Sequence, residues 1–78
     1  MKRTKLYKVF LSVIHGKLHF NPCYMNVEAL TQREAKQIAS ELGTIQIQEL
    51  RDNKFYSCTG IQAKEITKLN YPINQIYF

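Results

Sequence analysis

The sequence predicts an α+β domain: a four-stranded antiparallel sheet in the order β-β-α-β-β, with one helix packed on a face and a short C-terminal extension. Three observations carry this. Residues 6–29 read as two β-type runs around Gly16-Lys17. Thr31 and Glu34 form a capping box at the head of an apolar stripe with helical spacing. Residues 44–59 alternate again around a polar turn. The 78 residues make a single domain, with its core over residues 5–60 and an extension over residues 61–78. A chain this short buries only about 60% of its unfolded surface and has material for one core.

The first run, residues 6–15, is rich in Val, Tyr, Phe and Leu, and Gly16-Lys17 supplies a two-residue turn with glycine in its first central position. The return strand begins at residues 18–20 and meets Asn21-Pro22, where proline has no donor for the ladder. Beyond it, Cys23, Met25, Val27 and Ala29 alternate with Tyr24, Asn26 and Glu28. A tight turn pairs Val13 with Phe20, and without correction it would set Tyr24 and Asn26 on the face of Val9 and Leu11. One extra residue at Asn21-Pro22 restores a continuous apolar face, with Met25 and Val27 beside Val9 and Tyr7. A bulge is therefore expected there.

Helix formation starts at Thr31, and Ala35, Ile38, Ala39 and Leu42 form its inward stripe. Gly43 is read as its terminator, because glycine takes the left-handed conformation without penalty. Residues 44–50 then set Ile45 and Ile47 against Gln46 and Gln48 as a third strand. Arg51-Asp52-Asn53-Lys54 is the turn, residues 55–59 are the return, and Gly60 ends it. Residues 62–69 read as a short helix with Ala63 and Ile66 inward, and Asn70 and Pro72 break it before an apolar segment at 73–78. The expected core from the sheet is Tyr7, Val9, Leu11, Val13, Met25, Val27, Ile45 and Ile47.

Eleven Lys and Arg against six acids give a net charge of +5, with Lys2, Arg3, Lys5 and Lys8 in the first eight positions. Such an excess attracts phosphate backbones, acidic proteins and anionic surfaces alike, or serves solubility alone. An apolar fraction of 45% and a charged fraction of 22% are those of a folded domain. No apolar run approaches the roughly 18 residues of a membrane span, so a soluble cytoplasmic protein without a membrane partner is expected. Cys23 and Cys58 are too few for a disulfide scaffold and read as small buried apolar groups.

His15, His19, Cys23 and Cys58 are all competent zinc ligands, but in the hairpin the two imidazoles point to opposite faces and no CxxC knuckle is present. No metal and no cofactor are expected. A nucleophilic cysteine needs a neighbouring base and an exposed thiolate, which the alternation denies to Cys23. Gly-rich phosphate loops, HExxH and paired carboxylates are absent. The expectation is a protein that is not an enzyme, with a small toxin ribonuclease using His15 or His19 as the catalytic alternative.

Two surfaces suit binding. On the helix, Arg33, Lys36, Gln37 and Ser40 follow at i, i+3, i+4 and i+7 and form a stripe directed away from the sheet, able to reach phosphates or carboxylates, or simply solvated. On the outer sheet face, Lys8, Phe10, Ser12, Ile14 and His19 stand together near Tyr24, with Lys17 at the turn. Large apolar residues there mark either a contact patch or a surface covered by Ile73, Ile76, Tyr77 and Phe78. Aromatic residues between basic ones on a sheet are also the pattern of single-strand binders, although Tyr7 and Phe10 point to opposite faces.

The stretch VEALTQREAKQIASELG, residues 27–43, enclosed by two hairpins, resembles the small type I-F anti-CRISPR proteins of phages and mobile elements. The matching helix core reads Ala35-Lys36-Gln37-Ile38-Ala39-Ser40. The resemblance implies an inhibitor that docks on the Cas7 backbone of a type I surveillance complex in the host cytoplasm and blocks target DNA hybridisation. Lys36 and Gln37 fall at the helix position where that family contacts Cas7; the family has a basic residue where Gln37 stands, and the residues after Gly60 have no counterpart. The expected activity is thus inhibition of a host nucleoprotein machine by a monomer or weak dimer, with a basic DNA- or RNA-binding module as the alternative.

Overall fold

The computed structural model describes residues 3–78, except for the side chains of residues 20–22; Lys2 lies outside the described residues. Five elements follow in order: β1 (Lys5–His15), β2 (Leu18–Ala29), α1 (Gln32–Arg51), β3 (Tyr56–Ile66) and β4 (Ile76–Tyr77). The strands form one antiparallel sheet in the order β3-β1-β2-β4, and α1 lies across one face. This is the expected α+β class and element order, but the second half of the chain reaches it by another route.

The first hairpin follows its sequence pattern. Gly16 takes φ 62 at the turn, and His15, Ile14 and Val13 pair with Leu18, His19 and Phe20. The ladder then skips a residue on β2, because Leu11 pairs with Cys23. That is the bulge expected at Asn21-Pro22. It brings Met25 opposite Val9 and Val27 opposite Tyr7, so that Tyr7, Val9, Leu11, Val13, Cys23, Met25, Val27 and Ala29 form one buried face.

The helix begins as predicted. Thr31 is the N-cap, its hydroxyl accepts the Glu34 amide at 3.1 Å, and the Glu34 carboxylate accepts the Leu30 amide at 3.4 Å. It does not stop at Gly43. The helix runs on to Arg51 and is closed by Asp52, which takes φ 50 and donates its amide to the Gln48 and Glu49 carbonyls. Gly43 is a packing residue: a Cβ there would stand 3.1 Å from Leu11 Cδ1 and 3.2 Å from Cys58 Cβ. Ala35, Ala39, Gly43 and Ile47 form a buried row of small residues ending in one large one, which lets α1 lie close to the sheet. The alternation at 44–50 is therefore not a strand. Ile47 joins the core from the helix, and Ile45, expected inward, is 54% exposed. Ile45 and Ile47 lie about 200° apart on a helix, so the helix buries one and exposes the other; its cap and packing override the local alternation.

Residues 62–69 are not a helix either; β3 runs from Tyr56 to Ile66. Its register with β1 shifts between Leu11–Gly60 and Phe10–Gln62, leaving Ile61 as the extra residue of a second bulge. Ala63 is buried as predicted, but it reaches the core from a strand, opposite Val9. The outer edge of β3 is occupied by the helix. Ser40, Thr44 and Gln48, one turn apart, accept the Gly60 amide at 2.7 Å, accept the Cys58 amide at 2.9 Å and donate to the Tyr56 carbonyl at 3.0 Å. Side chains thus supply partners that an edge strand would otherwise present to solvent. The C-terminal segment adds β4 to the opposite edge, pairing Tyr77 with Tyr24 and Ile76 with Met25.

Candidate functional site

The face of the sheet turned away from α1 is the outer face, and alternation fixes its residues. Lys8, Phe10, Ser12 and Ile14 stand there on β1, between Tyr24 and Asn26 of β2 and Gln62 and Lys64 of β3. The C-terminal segment covers part of this face, burying Asn26 beneath Tyr71 and Tyr77, and extends it beyond β2. Tyr77 comes beside Tyr24, and Tyr71 stacks on Tyr77.

Four rings therefore run across the sheet in a row. Phe10 meets Tyr24 edge-on with centroids 5.0 Å apart, Tyr24 and Tyr77 are 5.5 Å apart, and Tyr77 and Tyr71 stack at 4.5 Å. The Lys8 ammonium sits over the Tyr24 ring, 4.5 Å from its centroid, and 5.7 Å from that of Phe10. Such placement holds the cation on an aromatic face without a counter-ion. Burial raises the Tyr77 phenol above its ordinary value, with the neighbouring Tyr24 adding to the rise.

The charges beside the row are of one sign. Lys8 lies directly opposite Lys64 on β3, a like-charge cross-strand pair that disfavours the sheet unless an anion lies between or over them. Glu65, next along β3, points to the other face and is bound to Lys5 at 3.4 Å. Across the whole chain the excess positive charge belongs to the sheet and loops. Residues 31–52 hold Arg33, Lys36 and Arg51 against four acids, and the remainder holds eight basic residues against Glu28 and Glu65.

Asn26 and Gln46 hold the row's C-terminal half. Asn26 is buried; its Nδ2 donates to the Tyr71 carbonyl at 3.2 Å, its Oδ1 accepts the Tyr77 hydroxyl at 3.5 Å, and its backbone carbonyl accepts the Asn74 amide at 2.7 Å. Gln46 of α1 donates to the Asn74 carbonyl at 2.6 Å and accepts the Ile76 amide at 2.8 Å.

The helix stripe divides. Arg33 and Gln37 are exposed as expected, followed by Glu41 one turn on. Lys36 is half-buried, with its backbone against Gly60, and the Ser40 hydroxyl turns inward to donate to the Lys36 carbonyl at 2.6 Å and accept from Gly60. Ser40 therefore points toward β3 and not away from the sheet, and its hydroxyl is occupied within the fold. Lys17 is exposed at the hairpin tip, beyond His15 and Leu18, away from the aromatic row.

The histidines and cysteines stay apart as groups. His15 stacks on Tyr56 with centroids 4.3 Å apart on the helix side, whereas His19 shares the outer face with Ile14. Cys23 and Cys58 are buried free thiols, and Cys23 donates weakly to the Leu11 carbonyl at 3.7 Å. Its interaction with Cys23, and then burial, hold the Cys58 thiol well above the ordinary thiol range. Among the described residues, no three His, Cys, Asp or Glu side chains gather into a metal-binding group, and no helix is long and apolar enough to cross a membrane.

Parity along β1 and β2 identifies Lys8, Phe10 and Tyr24 from sequence. Lys64, Tyr71 and Tyr77 escape it, since each joins the face through a pairing of distant segments. Ala63 between Gln62 and Lys64 is the signal that would have found Lys64, once residues 61–66 are read with period two. No protein-family model, curated protein or solved structure matches this chain.

Proposed function

We propose that this domain is a non-catalytic binding module that holds a single-stranded nucleic acid on its outer sheet face. The observation that carries the proposal is the row Phe10, Tyr24, Tyr77 and Tyr71 beside the opposed lysines Lys8 and Lys64. Bases stack on aromatic faces with little regard to sequence, and ammonium groups next to them take the phosphates. In the free protein the Lys8 ammonium rests on the Tyr24 ring; a base arriving there displaces it toward the backbone phosphate. The distribution of charge favours this face over the helix, whose own segment has more acids than bases.

Fluorescence anisotropy with labelled oligo(dT) and oligo(U) tests the reading. Binding should fall steeply with salt, Tyr24→Ala should weaken it by roughly fivefold to a hundredfold, and Lys64→Gln should lower the salt slope by about 0.7. No binding to either strand at low salt would sink it.

A second reading is carried by Arg33 and Gln37, which remain exposed on α1, and by the likeness of residues 27–43 to type I-F anti-CRISPR proteins. In it the domain inhibits a host nucleoprotein machine, with α1 facing Cas7 of a type I surveillance complex. Loss of inhibition in Arg33→Ala/Gln37→Ala, with Tyr24→Ala unaffected, would select this reading; unimpaired CRISPR immunity in cells that express the wild-type chain would reject it.

A further inference from the structure

The aromatic row is assembled from two kinds of structure. Phe10 and Tyr24 stand on strands of 11 and 12 residues inside the sheet. Tyr71 and Tyr77 stand on a tail whose strand is two residues long and in which Pro72, Asn74, Gln75 and Phe78 are exposed. Apolar burial alone does not fix such a segment. Two side-chain amides do much of that work. Asn26 takes the Tyr71 carbonyl from within the sheet, and Gln46 takes the Asn74 carbonyl and the Ile76 amide from the helix. A glutamine amide has one acceptor oxygen and a donor nitrogen, so at these two positions Gln46 does what the backbone of a neighbouring strand would do. It reaches the tail from α1, where it lines one cavity with Tyr71, Ile76 and Tyr77.

We infer that Gln46 is a positioning residue for the nucleic-acid site: by holding Asn74 and Ile76 it sets Tyr77, and through it Tyr71, in line with Tyr24. The inference rests on the reading of the outer face as a single-strand site. It adds Tyr71 and Tyr77 to the binding surface and gives that surface a support in α1. A base stack needs rings held in place before binding, since ordering a loose tail at the moment of contact lowers affinity.

The test uses the full-length chain and the variant Gln46→Leu, which keeps the side chain's size and removes its amide. Hydrogen exchange is followed at the Asn74 and Ile76 amides, and affinity is measured for oligo(dT) and oligo(U). The expected result is faster exchange at the Ile76 amide and a smaller increase at Asn74, whose amide keeps the Asn26 carbonyl, with an unchanged first hairpin and binding about threefold to tenfold weaker, the range of one or two lost hydrogen bonds. In a Tyr77→Ala background the same substitution should weaken binding no further. Faster exchange with unchanged affinity would overturn the positioning role and leave the single-strand reading standing. So would exchange that does not change, or a loss of affinity that persists in the Tyr77→Ala background. Failure of the wild-type chain to bind either oligonucleotide would remove the single-strand reading and the positioning role together.

Discussion

The Gly60 amide donates to the Ser40 hydroxyl at 2.7 Å, and that hydroxyl donates in turn to the Lys36 carbonyl at 2.6 Å. One side chain thus bonds the backbone of its own helix and the edge of β3. Ser40→Ala leaves the partly buried Gly60 amide without its acceptor and should destabilise the fold by about 1–3 kcal/mol. Thr44→Val, nearly isosteric, removes the acceptor of the Cys58 amide and should have a similar effect. Urea unfolding monitored by circular dichroism measures both. The double variant tests whether the two bonds couple, as neighbours in one network should.

Both glycines at the helix interface should resist alanine, for different reasons. At Gly60 a Cβ would lie 2.8 Å from the Lys36 carbonyl oxygen, so backbone must move, and Gly60→Ala should cost about 1–3 kcal/mol. At Gly43 alanine gains about 1 kcal/mol of helix propensity. Against that gain, its Cβ would stand 3.2 Å from Cys58 Cβ, which cannot swing aside, and 3.1 Å from a fully buried Leu11. The net effect should be destabilising; a melting temperature above that of the parent would show that the core yields there.

These glycines also explain where the sequence is legible. The bulge at Asn21-Pro22 follows from parity on two adjacent strands, and the helix start follows from Thr31 and Glu34, both local signals. The helix end is not legible at Gly43 because glycine serves equally as a C-cap and as a point of close approach. Leu11 and Cys58, 32 and 15 residues away in sequence, select the second role. The rest of the misassignment follows from that one. Ending the helix early frees residues 44–50 for a strand, which shifts the fourth strand and leaves 62–69 to read as a helix. For the same reason half of the aromatic row was visible and half was not: Lys8, Phe10 and Tyr24 share one hairpin, whereas Tyr77 arrives through Asn26 and Gln46.

Alkaline conditions should loosen the fold by two routes. Cys58 and Tyr77 both have values raised in the folded state, the first by its interaction with Cys23 and by burial, the second chiefly by burial. At these two groups the folded chain keeps protons that the unfolded chain releases, while Cys23, lowered chiefly by its hydrogen bond with Cys58, offsets part of the thiol effect. Stability is whole below the unfolded values, about 8.5 for a thiol and about 10 for a phenol, and falls as pH rises toward the folded ones. Thermal melts across pH 7 to pH 11, estimated from these reference values, should show the decline beginning in the thiol range. Replacing both thiols, Cys23→Ala/Cys58→Ala, should postpone its start to the phenol range; a decline unchanged by that pair of substitutions would assign it to other groups.

Lys8 and Lys64 offer the sharpest separation of stability from function. They face each other across β1 and β3 on the solvent side, where opposite charges stabilise a sheet by roughly 0.2–1 kcal/mol and like charges oppose it. Lys64→Glu replaces a repulsive pair with an attractive one. It should raise stability by a few tenths of a kcal/mol, reduced by solvent screening at an exposed site. If the outer face holds phosphates, the same change should weaken oligonucleotide binding tenfold or more at low salt, because a cation is lost and an anion gained beside Lys8. Stabilisation with weakened binding is the signature of a charge pair retained for a ligand. Stabilisation with unchanged binding would show that the pair has no part in it, and the aromatic row would then have to act with Lys8 alone.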